Sequence, residues 1–447
     1  MLDRKEDPAR HPFDRSTPGP DLAIINGKVV GVDGQTDQEK CIAISGGKIV
    51  SVDTSLPIGF TPEIRLDAAG KWVVPGLFDM HVHLREPGCE DKETIVTGTQ
   101  AAAAGGFTGL ACMPNTNPVL DEESMIRHVI QRAAQCPCRV YPVGSITKKL
   151  KGEKLSPVGE MVDAGAVAIS DDGKPVANAI MMKNALNYSR SFGIPVLCHS
   201  ETPELSAGGQ MNEGEVSTRM GMRGIPAVSE EICVARDVML SEYTGARIHI
   251  QHVSTAGAVR IIREAKMRGV KVSCETCPHY IVFTEDDIGP YDTYKKMNPP
   301  LRTSRDREAV IEGLIDGTID VIATDHAPHT PEDKDVEFEA AAFGVIGLET
   351  SVAAVISYLV HRGVLSPADM VEKMAVAPRR ILNLPDRSMS AGEPADITII
   401  DPEKTWRVDP ALFYSKSRNS PFWGMELTGC VCTTILEGKV VFERGSG

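Results

Sequence analysis

Two histidines separated by one residue, His81 and His83, end an apolar run that begins near Trp72. Side chains two residues apart in a strand share a face and lie about 7 Å apart. At that separation, two imidazoles can bind one metal ion. Two histidines in a strand can equally be ordinary hydrogen-bonded polar residues, so the pair alone does not decide the chemistry.

Histidine or aspartate also ends several other predicted strands, and such ends meet at one rim of a parallel barrel. Together with the first pair they form a mixed nitrogen and oxygen ligand set, which suits zinc and, less decisively, other divalent metals. Six ligands exceed what one open tetrahedral ion needs, so the pattern predicts two ions and a bridging carboxylate. Strand alternation does not choose between the two neighbouring aspartates of the fourth strand. The further candidates are Asp171, Asp172, His199, His252 and Asp325.

The remaining histidines mostly receive a structural interpretation. His249 has the opposite parity to His252, so we expect it to face the helix layer. His326 should point away from its neighbour Asp325. His279 lies near a strand end, and we favour a supporting role beside the predicted ligands.

The elements that must position these residues alternate between apolar strand-like runs and alanine-rich amphipathic stretches. This alternation is typical of a parallel sheet with crossover helices, and eight units over about 310 residues match a (β/α)8 barrel. A doubly wound sheet is the alternative. However, the glycine-rich segment 104–109 enters a strand, whereas a dinucleotide-binding loop must leave one. The eight predicted strands are 72–83, 107–113, 139–144, 166–171, 195–199, 247–252, 271–275 and 320–324.

The two ends of the chain resemble each other and differ from the middle. Short apolar strands joined by glycine-containing turns occur in both, which predicts β-hairpins. We therefore predict one small β domain built from residues 21–72 and 388–445, a catalytic barrel at 73–387 and a flexible tail at 1–20.

Composition restricts the function further. Among 447 residues the net charge is 47 − 61 = −14, which argues against a nucleic-acid-binding face. No apolar run approaches the roughly 18 residues of a membrane span, and the charged, proline-broken start is not a secretory signal. Eleven scattered cysteines fit a reducing cytoplasm. The close cysteine pairs 136/138, 274/277 and 430/432 lie in β-like runs, so packing is favoured over thiolate chemistry.

Several motifs carry a resemblance to a known family. The segment DMHVHLREPG at 79–88 resembles the signature of dihydroorotases, which belong to the cyclic amidohydrolases of the amidohydrolase superfamily. Similar matches span nearly all of residues 22–445. They are MPNTN at 113–117, SDDG at 170–173, KMNPPLR at 296–302, ATDHAPH at 323–329, FG at 343–344 and NSPF at 419–422.

The resemblance implies metal-binding roles. His81 and His83 would bind the more buried of two zinc ions, with Asp325 as a further ligand, and His199 and His252 would bind the second ion.

The bridge between the ions follows from the same resemblance. Many relatives use a carboxylated lysine, whereas bacterial type I dihydroorotases use an aspartate. The family register assigns the bridge, shared with a hydroxide, to Asp172 immediately before Gly173. Lys174 lies past the strand end and is a disfavoured alternative.

The implied reaction is the reversible cyclisation of N-carbamoyl-L-aspartate to (S)-dihydroorotate in pyrimidine biosynthesis. Asp325 would move the proton between the attacking hydroxide and the ring nitrogen. Arg85 can offer a planar fork to the substrate carboxylate. The implied substrate contacts are His83, Arg85, Asn115, Asn298, His329, Phe343 and Gly344. We also expect the acidic segment between His329 and Phe343 to cover the substrate as a lid.

Two other functions fit parts of the pattern. A hydantoinase or allantoinase would act on a different cyclic amide, but those relatives usually carry the carboxylated lysine and lack the arginine after the histidine pair. A metal-free scaffold subunit for aspartate transcarbamoylase should have gaps in its ligand set, which is complete here. We expect a cytoplasmic homo-oligomer, with aspartate transcarbamoylase as a candidate partner and neither nucleic acid nor membrane as one.

Overall fold

A computed structural model describes residues 17–31 and 39–445 of the chain, so most of the predicted tail at 1–20 lies outside the described residues. The strands are β1 Leu22–Val29, β2 Glu39–Ser45, β3 Lys48–Asp53, β4 Ile64–Asp67, β5 Trp72–Pro75, β6 Leu77–Val82, β7 Phe107–Cys112, β8 Arg139–Gly144, β9 Ala168–Ser170, β10 Val196–Cys198, β11 Met211–Asn212, β12 Gly224–Ile225, β13 Ile248–Ile250, β14 Val272–Thr276, β15 Val321–Ile322, β16 Ile397–Arg407, β17 Glu426–Leu436 and β18 Lys439–Glu443.

Helices separate most of the strands between β6 and β16. They are α1 Ile95–Ala104, α2 Glu123–Ala133, α3 Val158–Asp163, α4 Ala179–Ser191, α5 Pro203–Ser206, α6 Glu215–Met220, α7 Val228–Thr244, α8 Ala256–Met267, α9 Pro278–Val282, α10 Ser304–Ile315, α11 Pro331–Lys334, α12 Ser351–Val355, α13 Pro367–Val371 and α14 Ala377–Ile381. Among the described residues, no helix combines the length and apolar character that crossing a bilayer requires.

Eight strands form the barrel in the order β6-β7-β8-β9-β10-β13-β14-β15, and each neighbouring pair is parallel. The ends of this sheet meet where Val82 pairs in parallel with His326, and the His83 amide donates to the His326 carbonyl at 2.9 Å. The predicted (β/α)8 barrel is therefore confirmed. Because all eight strands run in one direction, their carboxyl ends lie at one mouth.

The first predicted strand, 72–83, is wrong as one continuous element. β5 pairs with β1 and β16 in the terminal sheet, whereas β6 pairs with β7 in the barrel. Gly76 separates them, and a Cβ atom at this position would collide with the side chain of Thr108. A glycine is thus required where the chain passes from one sheet into the other.

The second large sheet is built from both ends of the chain, as predicted, in the order β18-β17-β16-β5-β1-β2-β3, with β4 beside β1. Its apolar face forms a separate core that includes Leu22, Ile42 and Ile397. An ion-pair network centred on the buried Asp396 connects this sheet to the barrel. Arg139 of β8 donates to Asp396 through Nη1 at 2.5 Å and to Glu437 through Nη2 at 2.6 Å.

The barrel interior is apolar below its polar mouth. Phe78, Met80, Leu197 and Ala323 belong to one buried cluster there, while a larger core lies between the strands and the helices. All eleven cysteines are free thiols, and the candidate metal groups of the described residues contain only histidine and aspartate. The expectation that the cysteines serve packing agrees with this arrangement.

Candidate active site

Asp172 lies at the centre of the barrel mouth, surrounded by the four histidines that the strand ends supply. Its Oδ1 atom lies 3.5 Å from His81 Nε2, 3.5 Å from His199 Nδ1 and 3.7 Å from His252 Nε2. Its Oδ2 atom lies 3.4 Å from His83 Nε2. All five side chains are buried. One carboxylate therefore faces every predicted imidazole ligand.

Asp325 completes the cluster from the other side. Its Oδ1 atom lies 3.0 Å from His83 Nε2 and 3.5 Å from His81 Nε2. Two groups of three side chains each offer ligand atoms within 4.8 Å of one another: His81, His83 and Asp325 form the first, and His81, Asp172 and His252 form the second. The structure thus brings all six predicted ligands together.

The neighbouring aspartate takes a different direction. Asp171 Oδ1 accepts the backbone N–H of Thr147 at 3.0 Å, and Asp171 Oδ2 accepts the Thr147 hydroxyl. Lys174 is exposed at the surface. Of the bridging candidates left open by strand alternation, only Asp172 faces the histidines.

Unusual backbone conformations determine the direction of several of these side chains. His252, Asp325 and Arg85 have φ values of 37°, 47° and 61°, in the left-handed region that non-glycine residues seldom adopt. Such conformations persist only where the surrounding structure enforces them, and they concentrate at functional sites. In each case the regular strand has already ended, so strand alternation does not determine where the side chain points.

The expectation that His249 faces the helix layer is wrong for this reason. Its neighbours Ile248 and Ile250 belong to the outer core, which leaves His249 pointing into the barrel. There its Nε2 atom lies 3.1 Å from Glu275 Oε2, and its Nδ1 atom lies 2.9 Å from Ser273 Oγ. His252 also reaches the interior because its left-handed backbone breaks the alternation.

Three of the four histidines have a hydrogen-bond acceptor on the ring nitrogen that faces away from Asp172. His81 Nδ1 lies 2.5 Å from Glu275 Oε1, and His199 Nε2 lies 3.3 Å from Glu201 Oε2. His83 Nδ1 lies 2.9 Å from Asn115 Oδ1, and the amide nitrogen of Asn115 donates to Asp172 Oδ2 at 3.3 Å. An acceptor on the outer nitrogen holds the proton there, so the inner nitrogen presents a lone pair to the centre.

Glu275 and Glu201 were not found by sequence reasoning. Glu275 lies within β14 and Glu201 lies two residues beyond His199, and neither belongs to a motif with a spacing rule. The parity of Gln251 with His249 offered a weak signal for a polar layer inside the barrel. In the structure the Gln251 side chain lies 3.2 Å from His81 Nδ1.

The electrostatics of the cluster favour a bound cation. Burial raises the pKa of Asp172, but the neighbouring imidazoles of His199, His252 and His81 lower it well below the usual value. Burial lowers the pKa of His199, but Asp172 and Glu201 raise it to about 10. Negative charge on Asp172 and positive charge among the imidazoles thus stabilise each other, and a bound cation would supply the same positive charge.

Three atoms at the centre of the cluster could serve as metal ligands. Asp172 Oδ1 is buried and has no hydrogen-bond partner among the described residues. His199 Nδ1 and His252 Nε2 face each other at 2.8 Å. Because both nitrogens can act as lone-pair donors next to a carboxylate oxygen, the donor set fits a zinc-like cation.

A second group of predicted residues lies beside the cluster. Arg85 donates through Nε to the Pro328 carbonyl at 3.1 Å, and its Nη2 atom lies 3.4 Å from His329 Nε2. His329 Nε2 also lies 2.9 Å from the Phe343 carbonyl. Gly344 has a φ of 134°, and a Cβ atom there would lie 3.0 Å from His329. Arg85, His329, Phe343 and Gly344 thus form one wall of the mouth.

Asn298 reaches the site through a different partner. Its amide nitrogen donates to Glu201 Oε2 at 2.6 Å, and the same oxygen faces His199. Asn115 therefore contacts the histidine cluster directly, and Asn298 is connected to it through one side chain.

The segment between His329 and Phe343 contains the short helix α11 and is fixed by two buried lysines. Lys334 donates through Nζ to the carbonyls of Lys296, Ala342 and Gly344 at 3.2, 2.8 and 3.1 Å. Lys296 donates through Nζ to the Phe338 carbonyl at 2.5 Å. These contacts tie the segment to the wall that contains Gly344.

Two further histidines lie close to the site without joining the ligand cluster. His326 points away from Asp325, as expected, and its Nε2 atom lies 3.3 Å from Glu93 Oε2. His279 is buried and its Nε2 atom has no hydrogen-bond partner among the described residues. Burial lowers the pKa of His279 to about 4, so the imidazole is neutral at pH 7.

Comparisons with known proteins agree with this site. Residues 70–258 match the family described as Dihydro-orotase-like. A protein named dihydroorotase from Pelotomaculum thermopropionicum is 53% identical over 422 residues, which cover 94% of this chain and 98% of that protein. One of the same name from Pelobacter propionicus is 51% identical, covering 95% of this chain and 100% of that protein.

Solved structures give the same fold. The L-hydantoinase (dihydropyrimidinase) from Arthrobacter aurescens superimposes with a TM-score of 0.85 at 26% identity, covering 96% of this chain and 97% of that chain. Dihydropyrimidinase from Brevibacillus agri has a TM-score of 0.80 at 22% identity, covering 95% of each chain. Because the full-length sequence relatives share about half of their residues with it, the chain belongs to the dihydroorotase family, within the cyclic amidohydrolases.

Proposed function

We propose that this protein is a zinc-dependent dihydroorotase that interconverts N-carbamoyl-L-aspartate and (S)-dihydroorotate plus water in the de novo synthesis of UMP. One observation carries the proposal: the carboxylate of Asp172 faces the imidazoles of all four histidines within 3.7 Å. The names of the closely related sequences support the choice of substrate.

The proposed centre holds two zinc ions. His81, His83 and Asp325 would hold one ion, His199 and His252 would hold the other, and Asp172 would bridge them. The chemistry that zinc supplies when bound is Lewis-acid activation of a water molecule and of the ring amide carbonyl.

Asp325 is the proposed general base and acid. Burial raises its pKa, but the charges of His81 and His83 and the hydrogen bond from His83 lower it far below the usual value. The carboxylate is therefore ionised at neutral pH, which is the form that a general base needs, and it would accept the proton of the attacking water. In the hydrolytic direction it then gives this proton to the leaving ring nitrogen.

The wall beside the cluster is proposed to bind the rest of the substrate. Arg85 is half-buried, so its guanidinium would bind the substrate carboxylate with little screening by water. His329, which contacts Arg85, and the backbone at Phe343 and Gly344 would complete this pocket. Asn115, Asn298 and His83 would border the reacting end.

A substrate comparison tests the proposal. We expect hydrolysis of dihydroorotate to exceed that of hydantoin or allantoin by at least about 100-fold, because only dihydroorotate carries a carboxylate for Arg85. The Arg85→Met variant should lose most of this preference, whereas Glu204→Gln, an exposed neighbour of the site, should keep it. Preferred hydrolysis of hydantoin would overturn the assignment, and a protein that binds no zinc would instead support a scaffold role.

We also propose a cytoplasmic location and a symmetric homo-oligomer, and aspartate transcarbamoylase as a candidate partner. The eleven free thiols fit the reducing compartment. Light scattering of the protein alone and after mixing with the transcarbamoylase measures both assemblies.

A further inference from the structure

Glu201 connects a proposed zinc ligand to a proposed substrate contact. It follows β10 closely, and its side chain is 19% exposed. Its Oε2 atom lies 3.3 Å from His199 Nε2 and accepts the Asn298 amide at 2.6 Å. Its Oε1 atom accepts the Ser206 hydroxyl from α5, so both oxygens are engaged.

The shared oxygen determines how His199 is protonated. A carboxylate only accepts hydrogen bonds, so a proton on Nε2 of His199 is favoured and Nδ1 carries the lone pair. Nδ1 is the nitrogen that faces Asp172 Oδ1 and His252 Nε2. Glu201 therefore holds His199 in the form that can bind a cation in the cluster.

The same oxygen determines the orientation of the Asn298 amide. Turning the amide over would place its carbonyl oxygen against the Glu201 carboxylate, so that two acceptors would oppose each other. With the nitrogen held by Glu201, the carbonyl oxygen of Asn298 remains as an acceptor for a substrate N–H.

We propose that Glu201 is a positioning residue that acts on both halves of the site through one oxygen: it keeps His199 ready to bind metal and Asn298 ready to accept an N–H group of the substrate. The substrate half of this inference rests on the proposed function. The metal half concerns only the protein and zinc.

Zinc binding to the metal-stripped protein tests the metal half. We expect Glu201→Leu to weaken zinc binding by about 10–100-fold in a chelator competition, as loss of an outer partner of a metal ligand typically does. Glu201→Gln should stay near the wild-type affinity, because its amide oxygen can take the place of Oε2 while its nitrogen donates to Ser206. Asn298→Ala should also keep its zinc affinity. Wild-type affinity in Glu201→Leu would overturn this half.

A double-mutant cycle on KM tests the substrate half at saturating zinc. We expect Glu201→Leu and Asn298→Ala each to raise KM for dihydroorotate about tenfold. The KM of the double variant should be close to that of either single variant, because both substitutions remove the same interaction. Additive effects on KM would show that Glu201 does not act through Asn298. Glu204→Gln, on an exposed glutamate three residues away, is the matched control.

Thermal unfolding of each variant shows whether it folds. If Glu201→Leu does not fold, Glu201→Gln still tests the proposal, because a loss of zinc affinity in this conservative variant would also contradict it. Wild-type protein without dihydroorotase activity would refute the proposed function while leaving the zinc measurement valid.

Discussion

Two buried carboxylates of this protein, Asp172 at the barrel mouth and Asp396 at the junction with the terminal sheet, have opposite surroundings. Asp396 accepts two hydrogen bonds from Arg139, one from Arg387 at 3.0 Å and one from the Glu437 amide at 3.0 Å. Asp172 faces four imidazoles, and its Oδ1 atom has no hydrogen-bond partner among the described residues. The chain itself thus neutralises Asp396, whereas Asp172 lies in a cluster that could hold a cation.

Some buried charges thus stabilise the fold, whereas others are arranged to bind a ligand. Removing one partner of a buried ion pair destabilises the fold because it leaves the other charge buried and unpaired. A cluster of imidazoles and carboxylates with an unpaired oxygen is instead unfavourable by itself, and a bound metal ion would lower its free energy. Substitutions at the barrel mouth should therefore lower the rate more than the stability. Substitutions at the junction should lower the stability more than the rate.

The largest expected effect is the loss of rate in Asp325→Ala. The variant lacks a side chain that is both the proposed proton carrier and a proposed zinc ligand, so kcat for dihydroorotate should fall by at least about 1000-fold. Folding should be retained, because the apolar cores and the ion pairs at the junction do not involve this carboxylate. The measurements are kcat, zinc content by elemental analysis and the unfolding midpoint in urea.

The exposed Asp386→Asn variant is the control for Asp325→Ala. Activity above a tenth of the wild-type value with two zinc ions bound would show that Asp325 is not the proton carrier. A large fall in the unfolding midpoint would place Asp325 with the structural charges instead.

A smaller effect of the opposite kind is expected for Asp396→Asn. The change leaves Arg139 and Arg387 without a full counter-charge at a buried site, so the free energy of unfolding should decrease by about 3–5 kcal/mol at pH 7. The kcat of the folded variant should stay near the wild-type value. Urea denaturation measures the first quantity, and Glu443→Gln on the exposed face of β18 is its control.

The pH dependence of this difference follows from the pKa of Asp396. Burial raises that pKa, but Arg139 lowers it below the usual aspartate value of 3.8. A folded-state pKa below the unfolded value adds stability that is present above about pH 4 and lost as the pH falls through the folded-state pKa. Wild type and Asp396→Asn should therefore differ by a constant amount from pH 7 to about pH 5 and converge in stronger acid. A difference that grows on acidification would contradict the ion-pair explanation.

The sequence predicted which residues meet at the barrel mouth better than which residues pair at the junction between the barrel and the terminal sheet. His81, His83, His199 and Asp325 lie at strand ends, and the barrel geometry alone gathers such residues. Arg139 and Asp396 are 257 residues apart and belong to no motif, so no local pattern relates them. Long-range pairing of this kind depends on how two domains dock, which neither periodicity nor propensity describes.

Within the site, prediction failed where regular structure stopped. Strand alternation placed His249 on the wrong face because the strand ends at Ile250 and His252 turns with a φ of 37°. Glu201 and Glu275 were missed because hydrogen-bond partners of ligands carry no spacing rule. The choice of Asp172 over Asp171 needed the family register, and the structure explains it by the contact between Asp171 and Thr147.

The smallest expected effect concerns Lys334, a buried lysine at the rim of the site that donates hydrogen bonds to backbone carbonyl groups. Deleting residues 332–337 would test the predicted lid but would also remove the contact of Lys334 with Gly344, so Lys334→Met is the sharper change. It keeps the bulk of the side chain while leaving three carbonyls without their donor. If the segment acts as a cover, KM should rise several-fold at unchanged zinc content, with a loss of stability of about 1–3 kcal/mol. The exposed Glu337→Gln variant should behave as wild type. An unchanged KM in a destabilised Lys334→Met protein would show that this lysine, like Asp396, supports the fold and takes no part in substrate binding.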